Sequence, residues 1–267
     1  MKKRFRFVDK LIIAAVFFFL ISFNQSIAQR RYFGNSYLAG TPPAEEFELE
    51  IWQTSRLGKA AGDYFSWRPQ LEVEYGITDY LVTSFFINFE SIKASNNSFA
   101  SNPLGFHSAS LELRYRLTNP DEYFIDPSLY FEYTRGKNRN EYEPKIILSK
   151  RIGKFISAIN IAAAIEDNSD EQETETEFEI TFGLAYDLNE KLALGFELKN
   201  NSLYEEFYDK QINQAFYCGP TLVYGNEYIN IVLSGLIQVS GSPSTIGNLE
   251  LLSHEKYEVR MLVGVEL

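Results

Sequence analysis

Charged side chains recur two residues apart along this chain. Glu48 and Glu50, Glu72 and Glu74, Glu177 and Glu179 form such pairs, as do Glu112-Arg114-Arg116, Glu197-Lys199 and Glu258-Arg260. Arg68, Glu132, Glu143, Lys145 and Glu266 stand in the same alternating register. Acids and bases at that spacing share one face of an extended chain. Such a face suits a wet acidic lumen that binds or passes small polar or cationic solutes. It equally suits an occluded interior in which carboxylates and guanidiniums pair across strands, since buried charges need partners.

Other chemistries are poorly supplied. Nucleophilic catalysis needs a histidine beside a nucleophile with a third orienting group. Only His107 and His254 exist. On simple alternation His107 and Ser108 point to opposite faces, so no catalytic residue is assigned. Neighbouring glutamates do not specify glycosidase work, because they are what a polar wall looks like. The acidic stretch Glu166, Asp167, Asp170, Glu171, Glu173 and Glu175 lacks the spacing of an EF-hand and reads as a solvated loop. Cys218 is the single cysteine, which excludes an intrachain disulfide and a CxxC metal site. It falls in register with Phe216, Pro220 and Leu222 and reads as an inert apolar residue. No metal or cofactor is expected.

The elements that must carry the charged face follow from its complement. From Glu177 to Lys199 every even position to Leu188 is apolar (Phe178, Ile180, Phe182, Leu184, Tyr186). After a turn at Asn189-Glu190-Lys191 come Leu192, Leu194, Phe196 and Leu198. A period of two is a β-strand, and two such runs across a short polar turn are an antiparallel hairpin. The pattern repeats along the chain and predicts twelve strands. They run approximately over 46–54, 66–75, 80–89, 106–117, 125–134, 141–150, 155–166, 177–188, 192–199, 214–224, 228–239 and 256–267. Connections alternate between long and short. Short periplasmic turns with longer outside loops (here 91–104, 200–211 and 240–253) are the pattern of outer-membrane barrels. The expected fold is all-β, a twelve-stranded antiparallel transmembrane barrel with both termini periplasmic. Tyr75, Tyr115, Tyr186 and Tyr224 end descending strands on the apolar face, where amphipathic rings favour a membrane boundary.

Bulk properties agree. The 267 residues carry a formal charge of −11, with a pI near 4.8 and a mean hydropathy of −0.21. The negative balance excludes nucleic acid as a partner. The low hydropathy excludes a bundle of membrane helices but suits a barrel, which shows lipid only half of each strand. Aromatics reach 15%, with 22 Phe and 17 Tyr. Residues 1–28 read as a cleavable signal peptide: Lys2, Lys3, Arg4 and Arg6, an apolar run Leu11–Phe23, and Ser26-Ile27-Ala28 before the cut. Residues 29–45, broken by Gly34, Gly40, Pro42 and Pro43, read as a periplasmic lead-in, and 46–267 as the barrel.

Phe47-Glu48-Leu49-Glu50 with Trp52, the run Leu71 to Leu81, Leu113-Arg114-Tyr115-Arg116 before Thr118-Asn119-Pro120, Gly219-Pro220-Thr221 and Glu258-Val259-Arg260 together resemble a set of uncharacterised outer-membrane barrels. These are loosely similar to transporter-like barrels linked to aromatic-compound degradation clusters. The resemblance covers nearly all of the mature chain. It implies a Gram-negative outer-membrane location, lipid and the outer-membrane assembly machinery as partners, and no defined activity. Such barrels usually end in Phe or Tyr, whereas this chain ends in Leu267. The functional expectation is a narrow channel or small-solute transporter with an acidic lumen. The alternatives are an occluded barrel acting through its outside loops and, further off, a lipid-modifying enzyme.

Overall fold

A computed structural model describes residues 30–60, 62–95, 101–168, 173–205 and 208–267, with backbone alone at 168 and 173. The expected signal peptide lies outside these residues, as do Asp170 and Glu171 of the acidic stretch. Twelve strands form: β1 Phe47–Leu57, β2 Tyr64–Gly76, β3 Leu81–Ala94, β4 Asn102–Arg116, β5 Asp126–Gly136, β6 Arg139–Ile152, β7 Phe155–Asn168, β8 Glu173–Asp187, β9 Leu192–Glu205, β10 Lys210–Gly225, β11 Ile229–Ser242 and β12 Tyr257–Glu266. Each pairs antiparallel with its neighbour, and β1 pairs with β12 through Leu49–Val265 and Ile51–Val263, closing the barrel. Closure leaves no unpaired edge.

The faces sort as the alternation requires. Leu71, Leu111, Leu184, Leu194, Phe196 and Leu233 are exposed on the outer surface, while their neighbours Glu72, Glu112, Ala185, Ala193, Glu197 and Val232 are buried within. This is the inverse of a soluble core, and the outward apolar band is the surface that acyl chains would cover. Tyr75 packs on Phe47 at 4.5 Å between ring centroids and Tyr186 on Phe155 at 4.9 Å, both at the short-turn end.

The structure departs from the expected layout in three ways. First, strands continue past the membrane band. β9 runs to Glu205 and β10 starts at Lys210, and β3 runs to Ala94 and β4 starts at Asn102, so most of the expected loop 200–211 and half of 91–104 are strand. Polar two-sided strands carry no apolar alternation and therefore read as loops. Second, β3 and β4 shift register between Asn88 and Phe89, pairing Asn88 with Ser108 but Phe89 with Phe106. The extra residue is His107, and this bulge turns it inward beside Ser108 instead of away from it. Third, residues 243–256 fold back onto the inner wall. The Gln238 side chain donates to the Glu250 carbonyl at 2.8 Å and accepts from the Glu250 N–H at 2.8 Å. Tyr217 Oη donates to the Glu255 carbonyl at 2.9 Å.

Candidate functional site

The interior is occupied by the chain itself. The segment expected as a periplasmic lead-in instead enters the barrel: Arg31, Tyr32, Phe33, Asn35, Ser36 and Ala39 are all buried. It starts at the β8–β9 turn, where Arg30 donates to the Lys191 carbonyl at 2.8 Å. It crosses mid-lumen and returns to the β2–β3 turn, where Thr41 donates to the Asp79 carbonyl at 2.8 Å. Fifteen residues from Arg30 to Ala44, broken by two glycines and two prolines, have no ladder partner of their own. Wall side chains supply their backbone hydrogen bonds instead.

Glu197 is the main anchor. Its carboxylate accepts from the backbone N–H of Gly34 at 3.1 Å, Asn35 at 2.8 Å and Ser36 at 3.0 Å, and from Ser234 Oγ at 2.7 Å. Asn160 accepts from the Tyr37 N–H at 2.6 Å and donates back to its carbonyl at 2.9 Å. Ser149 accepts from the Ala39 N–H at 3.0 Å, and Ser128 donates to its carbonyl at 2.7 Å. Arg260 donates to the Gly34 carbonyl at 2.7 Å. Room for the segment comes from the small residues facing inward on β7 to β9. Ala158, Ala185 and Ala193 pack with Tyr32 and Phe33. At Gly183 an added Cβ would lie 2.7 Å from the Phe33 ring.

The sequence-derived candidates distribute around this segment. Glu48, Glu50, Glu72, Glu74, Glu112 and Arg114 form a buried group on β1, β2 and β4. Arg114 Nη2 bonds both Glu74 oxygens at 2.9 and 2.8 Å. Arg31 from the inserted segment bonds Glu50 through Nε at 2.9 Å and Nη2 at 3.3 Å. Burial opposes the Arg31 charge, but Glu50, Tyr37 and Glu74 outweigh it and keep the group protonated. Burial likewise pushes the Tyr37 phenol well above its ordinary value, so it stays neutral. Lys199 bonds Glu258 at 2.9 Å, and Arg56 reaches the same carboxylate at 3.0 Å. Glu177 and Glu179 both accept from Asn201, and Lys145 pairs with Glu143 at 2.9 Å. Arg68 pairs with Glu90 at 2.5 Å, and Glu132 accepts from Tyr130 and Thr134. Arg116 lies at the short-turn mouth, donating to the Asp79 carbonyl at 2.8 Å. Ion pairs thus fill part of the interior, while Glu132, Glu177 and Glu179 are held by neutral donors instead.

Two cavities flank the segment. One of about 1210 Å³ opens at the short-turn end, lined by Tyr32, Ala39, Arg151 and Asp187 among others. The other, of about 220 Å³, lies toward the opposite end, lined by Arg56, Arg68, His107, Arg139, Glu141 and Arg260. His107 Nδ1 is 3.5 Å from Glu90, and its Nε2 is 3.3 Å from the Arg139 guanidinium. His254 Nε2 meets Asn213 at 2.8 Å. Neither arrangement is that of a general base on a serine.

A family profile described as "Family of unknown function (DUF6662)" matches residues 25–267. The chain belongs to that family. No curated protein matches this DUF6662 chain in sequence. Its fold is shared with the COG4313 outer membrane channel from Pseudomonas putida F1, at TM-score 0.64 and 11% identity over 86% of this chain and 98% of that one. It is shared also with the NanC porin, at TM-score 0.56 and 14% identity over 82% and 100%. The KdgM porin superposes at TM-score 0.52 and 9% identity over 82% and 99%. These neighbours are outer-membrane channels and porins, and at such identities the likeness speaks to the barrel fold.

Arg30 to Ala44 escaped the sequence reading because aperiodic polar chain with glycine and proline looks like linker. One signal was present. The inward positions of β7 to β9 are rich in Ala and Gly, and close packing requires something to fill the volume they leave.

Proposed function

We propose that this barrel is an outer-membrane channel for a small polar or cationic solute, held shut by its own N-terminal segment. Residues 1–28 are removed on export, and both termini face the periplasm. The observation that carries this reading is how residues 30–41 are held. Their contacts with the wall are mainly hydrogen bonds to side chains, which entering water can replace one for one. A permanent filler would be expected to use apolar packing throughout, whereas here such packing is limited to Tyr32, Phe33 and Leu38 at one wall cluster and Tyr37 and Ala39 against Tyr130 and Ile147. Arg30 and Arg31 are the segment's only charges up to Ala44. A potential negative on the periplasmic side therefore pulls the segment outward and favours opening.

Planar-bilayer recording tests this. The expected result is brief cation-selective steps whose frequency rises at periplasm-negative potentials. Silence at every potential, in wild type and in Glu197→Gln alike, overturns it. A second reading, an occluded barrel that acts through its outer surface, is favoured by the inward fold of residues 243–256. That silence is its expected outcome.

A further inference from the structure

Arg31 occupies a site with the character of a receptor. Its guanidinium carbon lies 4.4 Å from the Tyr37 ring centre and 5.8 Å from that of Trp52. These two rings are nearly parallel, with an interplanar angle of 21°; Trp52 belongs to the wall and Tyr37 to the segment, so Trp52 alone stays once the segment leaves. Beside this aromatic pair, Glu50 takes two of its nitrogens and Glu74 lies at 3.6 Å. The fork geometry is what a planar guanidinium satisfies and an ammonium does not. Trp52 Nε1 donates to Glu50 at 3.0 Å and Glu72 at 3.0 Å, fixing both carboxylates.

The group is also short of positive charge. Among the described residues, Arg31 and Arg114 are the cations within 4 Å of the acids Glu48, Glu50, Glu72, Glu74 and Glu112, five formal negative charges against two, while Lys145 and Arg260 stand farther off against the Tyr37 and Trp52 rings. Glu112 is fully buried, and neither of its oxygens has a hydrogen-bond partner. The same is true of Glu72 Oε1. Taking one cation out of such a group leaves carboxylates buried and uncompensated, which is strongly unfavourable. The segment therefore leaves only briefly by itself, and for longer when another cation takes the place of Arg31.

We propose that the Glu50–Glu74–Trp52 box is a binding site for guanidinium-bearing solutes, filled at rest by Arg31, and that exchange of a solute for Arg31 releases the segment. The binding site stands on the geometry alone, while its role in permeation rests on the channel reading above. Trp52 reports on the box directly, and Trp67→Phe leaves it as the single tryptophan. The mature chain carrying Arg31→Ala and Trp67→Phe is titrated in detergent with methylguanidinium, methylammonium and methylurea at constant ionic strength. The expected result is a saturable Trp52 fluorescence change, with half-saturation for methylguanidinium about tenfold or more below that for methylammonium and no response to methylurea. Glu50→Gln in the same background weakens it about tenfold or more, and the chain with Arg31 in place responds only at far higher concentration. An equal response with and without Arg31, a non-saturating one, or one matched by methylurea overturns the site. Should Arg31→Ala fail to fold, Arg31→Lys keeps a charge but not the fork, and the same ratio of half-saturations decides. Saturable binding with silent bilayers removes the channel and keeps the box. Conductance without binding does the reverse.

Discussion

Replacing Glu197 with alanine removes the acceptor that three consecutive backbone N–H groups share. Those bonds, at 3.1, 2.8 and 3.0 Å, run to a carboxylate that is fully buried. Hydrogen bonds to a charged group contribute roughly 1.5–3 kcal/mol each, so the gross loss is about 5–9 kcal/mol. The shorter side chain leaves polar space that water fills, and water returns part of that loss. A net shift of about 3–4 kcal/mol away from the inserted segment follows, or about two to three decades in its equilibrium. Ser234, which donates to the same carboxylate at 2.7 Å, loses its acceptor without releasing the segment. Amide hydrogen exchange at residues 34–36 reads the equilibrium directly, and bilayer open probability reads its consequence. Both rise by roughly a hundredfold or more, short of saturation, and Glu197→Gln, which keeps one acceptor oxygen, falls between. If the variant folds with its strand amides protected and residues 34–36 exchange as in wild type, the anchoring argument is wrong.

Gly183→Val places a branched side chain where even a Cβ lies 2.7 Å from the Phe33 ring. It should raise open probability, and Phe33→Ala in the same chain should suppress that gain; a Gly183→Val channel indistinguishable from wild type would contradict the packing described. Arg114→Met strips Glu74 of the Nη2 donor that reaches both of its oxygens, in a site where both residues are buried. Breaking such a pair costs about 3–5 kcal/mol, visible as a lower urea midpoint in lipid vesicles and partly restored by Glu74→Gln. His254 lies outside the strands, and burial lowers its pKa below the ordinary 6.5. Its folded pKa being depressed, the neutral form bonded to Asn213 contributes stability that is whole above about pH 6.5 and is lost as pH falls through the folded value. Protection of the 243–256 backbone should decline on acidification in wild type and stay flat in His254→Gln.

The barrel was legible because lipid and lumen impose opposite demands on adjacent residues. Twelve alternating runs from Phe47 to Leu267 carry that contrast, and it fixed strand number, order and sidedness together. Strand ends were less legible. Beyond the membrane band neither face must be apolar, so Asn200 to Glu205 continues a ladder under a sequence that reads as loop. The bulge at His107 was hidden for a related reason: one inserted residue leaves composition unchanged yet reverses which side chains face in. The sixteen charged candidates all lie on the inward side of their strands, but their partners were not readable. Arg31 reaches Glu50 from 19 residues away through a segment with no period, and Lys199 meets Glu258 across two intervening strands. What alternation reports is a face; which charges meet across a lumen depends on tilt, register and whatever fills the middle.

Residues 30–41 are held to block the lumen and to leave it when the barrel conducts. Gly34 and Ser234 allow a direct test, because a Cβ at Gly34 would lie 2.6 Å from that of Ser234. A cystine needs about 3.5–4.5 Å between these atoms, which the segment reaches by shifting about 1 Å. In a Cys218→Ser background, Gly34→Cys with Ser234→Cys is oxidised, the crosslink verified by mass spectrometry, and conductance recorded before and after reduction in the same bilayer. The expected result is silence while the bond is closed and voltage-dependent steps once it is reduced. Equal conductance in the two states would place the blocking segment elsewhere and contradict it.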